Sequence, residues 1–256
     1  MDARNPDLRQ AAVDRPAFYA LRPGGWRDLV TVLHPPYTLW NLSNVVIGAS
    51  VAFHVYPVRL AAAVAAFFLA VGIAAHCLDE LNGRPLQTQL SDRALIGLSI
   101  GSLGGALAIG IAGIFIVSPT LIPLILFGAF IAPAYNLEWF DGRFHTDLWL
   151  AISWAGFATF TGWWVNALGV HSVAEAIAVV GVVTGTAFLV TAQRRLSTPV
   201  RELRRRTAEV TGTQRSLDGT VRELRREDLV QPLDGALRAL SFAVPLLAVG
   251  LIALRL

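Results

Sequence analysis

Lysine is absent from this chain, so all 21 of its basic residues are arginine. Cysteine occurs once, at Cys77, which excludes an intramolecular disulfide and any metal centre built from cysteines. Charged residues are scarce as well: they make up 15% of the sequence, against about 25% in a typical soluble domain. Hydrophobic residues make up 54%. This composition excludes an ordinary soluble domain and predicts a protein that crosses a membrane several times.

Seven apolar stretches are long enough to cross the hydrocarbon core as helices, which takes roughly 17 to 25 residues. They lie at residues 39–55, 58–77, 94–117, 120–135, 146–168, 173–191 and 237–254. We therefore predict an all-α, polytopic membrane helix bundle of about seven transmembrane helices within residues 34–256. Residues 1–33 are polar and contain no apolar core of a cleavable signal peptide, so we expect a cytoplasmic leader there.

The arginines are distributed unevenly along the chain. Of the 21, 19 lie in the leader, in the loops after the second and fourth stretches, and in the segment after the sixth. Only Arg59 and Arg255 lie on the opposite side. Because cytoplasmic loops are enriched in basic residues, this pattern predicts a cytoplasmic-membrane protein with its N-terminus in the cytoplasm and its C-terminus outside.

The segment 193–236 carries most of this charge. The sequence VRELRR occurs in it twice, at 200–205 and at 221–226. Apolar residues at helical spacing predict two short amphipathic helices, at 200–210 and 216–226, the first starting at Thr198 and Pro199. Such basic helices are typical of surfaces that contact anionic lipid headgroups. We do not expect nucleic acid as a partner, since no aromatic residue lies between Arg194 and Arg238.

The third apolar stretch repeats small residues at helical spacing. Gly97, Gly101, Gly105 and Ala108 would form one face of a helix. Because small side chains let helices approach each other closely, we predict that this helix is central to the bundle.

Polar residues gather at the end of the second apolar stretch, in the sequence HCLDELNGRPLQTQLSD. His76, Asp79 and Glu80 lie three and four residues apart, so a continuing helix would place them on one face. Carboxylate oxygens suit Mg²⁺, which commonly bridges to substrate phosphates, and Arg84 could bind a phosphate directly. The alternative is a solvated loop that follows a helix ended by Asn82 and a glycine.

The first apolar stretch contains polar residues at membrane depth, namely Asn41, Ser43 and Asn44. Two interpretations are open for them. They could form hydrogen bonds between helices, or they could line a polar cavity.

Three segments resemble the UbiA-type intramembrane prenyltransferases. HPPYTLWNLSNVVIGA resembles the opening of the family's first helix. HCLDELNGRPLQTQLS resembles its first aspartate-rich motif with the arginine-proline-leucine signature that follows. AYNLEWFDGRFHTDLWLAISW resembles the connection between its fourth and fifth helices, with Tyr135, Arg143 and Asp147 in place. The resemblance covers residues 34–191.

The resemblance implies a helix bundle around a central cavity that opens laterally to lipid. From the apolar stripes of the two short amphipathic helices, we expect these helices to lie over the cytoplasmic mouth of that cavity. Members of the family transfer a prenyl group from a diphosphate to an aromatic or other lipophilic acceptor. They hold Mg²⁺ between two aspartate-rich motifs, on the second and sixth helices. The metals stabilise the negative charge that develops as the diphosphate leaves.

This chain departs from the family pattern in three respects. His76 stands where the first motif has an acid, Arg194 and Arg195 stand where the second motif has its aspartates, and the family usually has more spans. Two hypotheses follow. A divergent prenyltransferase would use Asp79 and Glu80 for catalysis and, with His76, hold at most one Mg²⁺. A non-catalytic relative would bind lipid or a partner protein. A transporter is less supported, since no charge lies in the middle of a span.

Under the first hypothesis the substrate would be a prenyl diphosphate or another phosphorylated lipid taken from the bilayer. The residues expected to bind it share polar side chains near the cytoplasmic ends of the spans. They are Asn41, Asn44, Asn82, Arg84, Tyr135, Arg143, Arg194 and Arg195.

Overall fold

Helices make up most of residues 15–255, the part of the chain that the computed structural model describes. A short helix, α1 (Trp26–Val32), precedes the bundle. The next helix, α2 (Pro35–Ser50), begins with two prolines. Proline lacks a backbone N–H, and this is tolerated in the first turn of a helix because N–H groups there have no acceptor within the helix. The bundle continues with α3 (Pro57–Leu81), α4 (Asp92–Ile116), α5 (Pro119–Asn136), α6 (residues 147–167), α7 (Val173–Arg205) and α8 (Arg226–Ala253).

Two of these helices contain wider π-helical turns. α3 is π-helical over Phe68–Ala75, and α6 consists of Asp147–Ala151, a π-helical stretch Ile152–Gly156 and Phe157–Ala167. Between α5 and α6 lies a short helical turn, Trp139–Gly142. π-Helical turns inside α-helices occur frequently beside functional sites.

Within the described residues, five helices are long and apolar enough to cross a membrane: α3, α4, α5, α7 and α8. The prediction of a helical, multi-pass membrane protein is therefore confirmed. The stretches predicted at 39–55 and 146–168 are also helical, as α2 and α6, but α2 is only 16 residues long.

The centre of the bundle is α2, which packs against α6 and α8. The closest approach lies between α2 and α6. A Cβ atom at Gly48 would stand 1.8 Å from the carbonyl oxygen of Thr159, and one at Gly162 would stand 1.9 Å from that of Val45. Only glycine fits at either position, because any side chain would push the two backbones apart.

The prediction that the Gly-rich α4 is central was wrong. Nothing lies within 4 Å of the Cβ positions of Gly97, Gly101 and Gly104, and only Leu95, Ser99 and Ser102 of this helix are buried. A stripe of small residues allows another helix to pack closely, but it does not ensure that another helix packs there. Here α4 lies at the edge of the bundle.

The predicted helix start at Thr198 and Pro199 was also wrong, because α7 continues without a break to Arg205. Pro199 is on the exposed side of the helix. The hydrogen bond that this proline removes is therefore lost where solvent can replace it. Of the predicted helix 200–210, the part up to Arg205 is the end of α7.

The predicted helix at 216–226 is a β-hairpin instead. Strands β1 (Thr213–Arg215) and β2 (Val221–Glu223) pair antiparallel, with Thr213 opposite Glu223. The turn between them contains Asp218 and Gly219, and Gly219 has a φ of 87°, which favours glycine. An Asp-Gly turn outweighs the weak helical pattern of the flanking residues.

The described part of the leader packs onto the bundle. Asp28 is buried, and its Oδ2 accepts hydrogen bonds from the backbone N–H groups of Gly24 (3.0 Å) and Gln89 (3.2 Å). These bonds tie the leader to the loop between α3 and α4. Residues 1–14 of the predicted leader lie outside the described residues.

Candidate lipid-binding site

Two cavities share one lining residue, Trp154. The first, the polar chamber, has a volume of about 200 Å³ and lies among α2, the ends of α3 and α5, α7 and residues 16–19. The second, the apolar cavity, has a volume of about 170 Å³ and lies among α3, α4, α5 and α6. The polar chamber is lined by titratable and hydrogen-bonding side chains, among them Tyr19, His34, Tyr37, Asn41, His76, Asp79, Tyr135, His145, Gln193, Arg194, Arg201, Arg205 and Asp234.

Three arginines of α7 line the polar chamber. Arg194, Arg201 and Arg205 are seven and four residues apart, so they share one face of the helix. The Nε of Arg194 donates to Asp147 at 2.7 Å, and the Nε of Arg205 donates to the carbonyl oxygen of Pro16 at 3.2 Å. These contacts orient the guanidinium groups within a chamber whose charge is predominantly positive.

Asp79 is the acid of the predicted motif that reaches the polar chamber. No residue within 15–255 donates a hydrogen bond to its carboxylate or forms an ion pair with it. Asp234 also lines the chamber, but it is paired with the buried guanidinium of Arg204. Asp79 is therefore the carboxylate in the chamber that a ligand would meet.

A stacked histidine pair lies beside Asp79. The rings of His34 and His76 are parallel, with centroids 4.1 Å apart, and the Tyr19 hydroxyl is hydrogen-bonded to Nδ1 of His34 at 2.9 Å. Burial, followed by the charges of His76 and two arginines, holds the pKa of His34 well below its ordinary value. Burial likewise raises the pKa of Tyr19. Both groups are therefore neutral at physiological pH.

Aromatic rings pack beside Trp154, the residue that lines both cavities. Tyr135 stacks on His145 with centroids 4.5 Å apart and contacts Trp154 at 4.6 Å. At the far end of the apolar cavity, the guanidinium of Arg59 lies 4.0 Å from the ring centroid of Tyr56. The apolar cavity thus runs from an aromatic wall to a basic residue.

Glu80 does not face the polar chamber. It is fully buried, and its carboxylate accepts three hydrogen bonds: from the Leu86 N–H (2.9 Å), the Thr88 N–H (2.8 Å) and the Thr88 hydroxyl (2.9 Å). The adjacent Arg84 donates to the Leu90 carbonyl and pairs with Asp92. These two predicted site residues hold the loop after α3 in shape.

The remaining predicted residues fall into two groups. Asn41, His76, Tyr135 and Arg194 line the polar chamber. Asn44 is buried between α2 and α6, where it donates to the Trp154 carbonyl at 3.1 Å, and Asn82, Arg143 and Arg195 are exposed outside the chamber. Of the two interpretations given for Asn44, a hydrogen bond between helices or the lining of a polar cavity, the structure shows the hydrogen bond.

Three buried polar atoms of residues that line the chamber have no partner among residues 15–255. They are the indole Nε1 of Trp40, the amide Oδ1 of Asn41 and the carboxylate Oδ1 of Asp234, in residues that are 2%, 8% and 6% exposed. Buried polar groups are almost always satisfied. Because these atoms are themselves buried, they do not face the open space of the chamber.

Sequence reasoning missed Trp40, Arg201 and Arg205. Reading α7 as continuous would have revealed the two arginines, because they repeat at helical spacing from Arg194. For Trp40 no sequence signal was available, since a tryptophan in an apolar stretch is ordinary.

A protein-held Mg²⁺ site does not fit the residues present. Within 15–255, no group of three or more histidine, cysteine, aspartate or glutamate side chains could hold a metal ion. One unpaired carboxylate, Asp79, shares the polar chamber with three guanidinium groups. The anionic ligands that Mg²⁺ prefers are therefore in the minority there.

Compared with known proteins, the chain matches no protein-family model, no curated protein and no solved structure.

Proposed function

We propose that this protein binds, within the membrane, an amphipathic lipid with an anionic headgroup, such as a prenyl diphosphate or another phosphorylated lipid. The observation that carries the proposal is that a polar chamber and an apolar cavity lie on Trp154, the residue that lines both. A phosphate headgroup matches the arginines of the polar chamber, and a hydrocarbon tail matches the apolar cavity.

The proposal includes seven spans, in which α2 and α6 cross together with the five longer helices. Contacts between helix ends support it. At one end the Phe53 N–H donates to Glu175 and Arg255 donates to the Ala52 carbonyl; at the other, Arg194 donates to Asp147. At the end where Phe53 and Arg255 lie, the only arginines among residues 15–255 are Arg59 and Arg255, the two that are predicted to lie outside. Reporter fusions after residues 117 and 169 should both report an outside location, and a cytoplasmic signal at either would refute this topology.

The proposed lipid can be sought directly. Lipids extracted from the purified protein should include a phosphorylated species, identified by mass spectrometry. Ala66 lines the apolar cavity, whereas its neighbour Ala65 is exposed on the outer surface of α3. Ala66→Trp should fill the cavity and deplete the lipid, while the matched variant Ala65→Trp should retain it. Equal lipid content in both variants would contradict a tail-binding role for this cavity.

A second candidate function is prenyl transfer, favoured by the unpaired Asp79 beside the arginines. In such a reaction the allylic carbon–oxygen bond breaks, and its electron pair passes to the departing diphosphate, whose charge the guanidinium groups stabilise. The acceptor supplies the electron pair of the new bond. Its proton passes to the Asp79 carboxylate, acting as a general base.

Membranes that contain the protein, incubated with a radiolabelled prenyl diphosphate, test the second candidate. Transfer predicts a labelled lipophilic product, released diphosphate and loss of both with Asp79→Asn. If the label is bound but never transferred, the non-catalytic lipid-binding function stands alone.

A further inference from the structure

We infer that the polar chamber binds the phosphate groups of its lipid through the arginines of α7, Arg194, Arg201 and Arg205, without a divalent metal. This inference rests on the proposed function, because it names how the headgroup of that lipid is recognised. It differs from the mechanism that the resemblance implies, in which Mg²⁺ carries the diphosphate.

The way in which the guanidinium groups are anchored supports direct phosphate binding. Arg194 and Arg205 each use Nε for their contact with the protein, and their terminal nitrogens make no hydrogen bond to residues 15–255. Arg201 is held by one terminal nitrogen, which donates to the Thr198 hydroxyl at 3.3 Å. An arginine fixed through Nε presents its two terminal N–H₂ groups as a fork that matches two phosphate oxygens.

The acids near the chamber offset only part of the charge of these arginines. Asp147 is engaged by Arg194, Asp234 is paired with Arg204, and Glu80 is committed to the loop after α3. Asp79 remains as the carboxylate that shares the chamber with Arg201 and Arg205, so the net charge of these three groups is positive. A positive net charge favours a diphosphate over a dication.

Binding of farnesyl diphosphate to the purified full-length protein in detergent tests the inference, with farnesol as the probe that has the same tail and no phosphate. We expect the diphosphate to bind with the same affinity in excess EDTA and in excess magnesium. Arg201→Gln and Arg205→Gln should each weaken it by roughly ten- to a hundredfold, since each removes a charge-assisted contact. Arg201→Lys, which keeps the charge, should lose less than Arg201→Gln.

Matched controls lie on α7 and directly after its last residue. Arg195 and Arg206 are exposed outside the chamber, so Arg195→Gln and Arg206→Gln should bind like the native protein. Asp79→Asn should bind equally or more tightly, because it removes a negative charge from the headgroup site. Thermal unfolding of every variant checks that a loss of affinity is not a loss of fold.

Two outcomes would overturn the inference while leaving the proposed function intact. Binding that disappears both in EDTA and with Asp79→Asn would show a metal bridge. Farnesol binding as tight as the diphosphate, unaffected by the arginine variants but blocked by Ala66→Trp, would show a lipid without an anionic headgroup contact. If neither probe binds and no lipid is extracted from the protein, the proposed function itself fails.

Discussion

Replacing Glu80 with glutamine should destabilise the fold without touching the ligand site. The carboxylate is fully buried and accepts three hydrogen bonds, at 2.8 to 2.9 Å, from the loop that follows α3. Its Oε2 faces the Leu86 N–H, and its Oε1 faces both donors of Thr88. A glutamine must turn its N–H₂ group toward one of these donors, so at least one bond is lost and two donor groups oppose each other.

The magnitude follows from these contacts. A hydrogen bond to a charged group contributes about 1.5–3 kcal/mol, and the bonds that remain lose their charge assistance. We expect Glu80→Gln to cost about 2–4 kcal/mol, which lowers the unfolding midpoint by roughly 5–10 °C. Glu80→Ala should cost more, since it leaves the buried N–H groups of Leu86 and Thr88 without an acceptor.

Thermal unfolding in detergent, followed by intrinsic tryptophan fluorescence at one fixed heating rate, measures this effect. Asp79→Asn is the matched control, because Asp79 is the neighbouring acid and accepts no hydrogen bond from residues 15–255. It should leave the midpoint nearly unchanged. A Glu80→Gln protein that unfolds like the native one but no longer binds the lipid would refute the structural role assigned to Glu80.

Three further predictions concern packing, pH and buried charge. Gly48→Ala should prevent stable folding, because the added Cβ would stand 1.8 Å from a carbonyl oxygen. Loss of the monodisperse peak in gel filtration would show this. Gly97→Ala, which has open space around the added Cβ, should fold normally. The pKa of His34 is held well below about 6.5, so as the pH falls the unfolded state binds a proton at this residue before the folded state does. The free energy of unfolding should therefore fall as the pH drops below about 6.5, and it should fall less in His34→Gln. Equal slopes of unfolding free energy against pH in the two proteins would contradict this. Asp234→Asn should lower stability by about 3–5 kcal/mol in thermal unfolding, since it removes the carboxylate charge that is ion-paired with the buried Arg204 guanidinium. An unchanged midpoint would show that the pair contributes little.

The amino-acid sequence alone determined that the chain is a helical membrane protein and roughly where its helices lie. Long apolar stretches can satisfy their backbone groups in lipid only as helices, so composition and length decide this much. The local preference of proline for the first helical position also accounts for two helix starts, since Pro35 and Pro57 begin α2 and α3. Of the polar residues that gather after the second stretch, His76 and Asp79 line the polar chamber.

Only the tertiary structure decided which of those polar residues meet. Asp79 and Glu80 are adjacent in sequence, yet one faces the chamber and the other the loop after α3, because neighbours on a helix point about 100° apart. Arg201 and Arg205 reach the chamber because α7 continues past Pro199, which local rules predict as a helix start. The glycines that matter, Gly48 and Gly162, lie where two backbones cross, and such a crossing depends on residues more than a hundred positions apart.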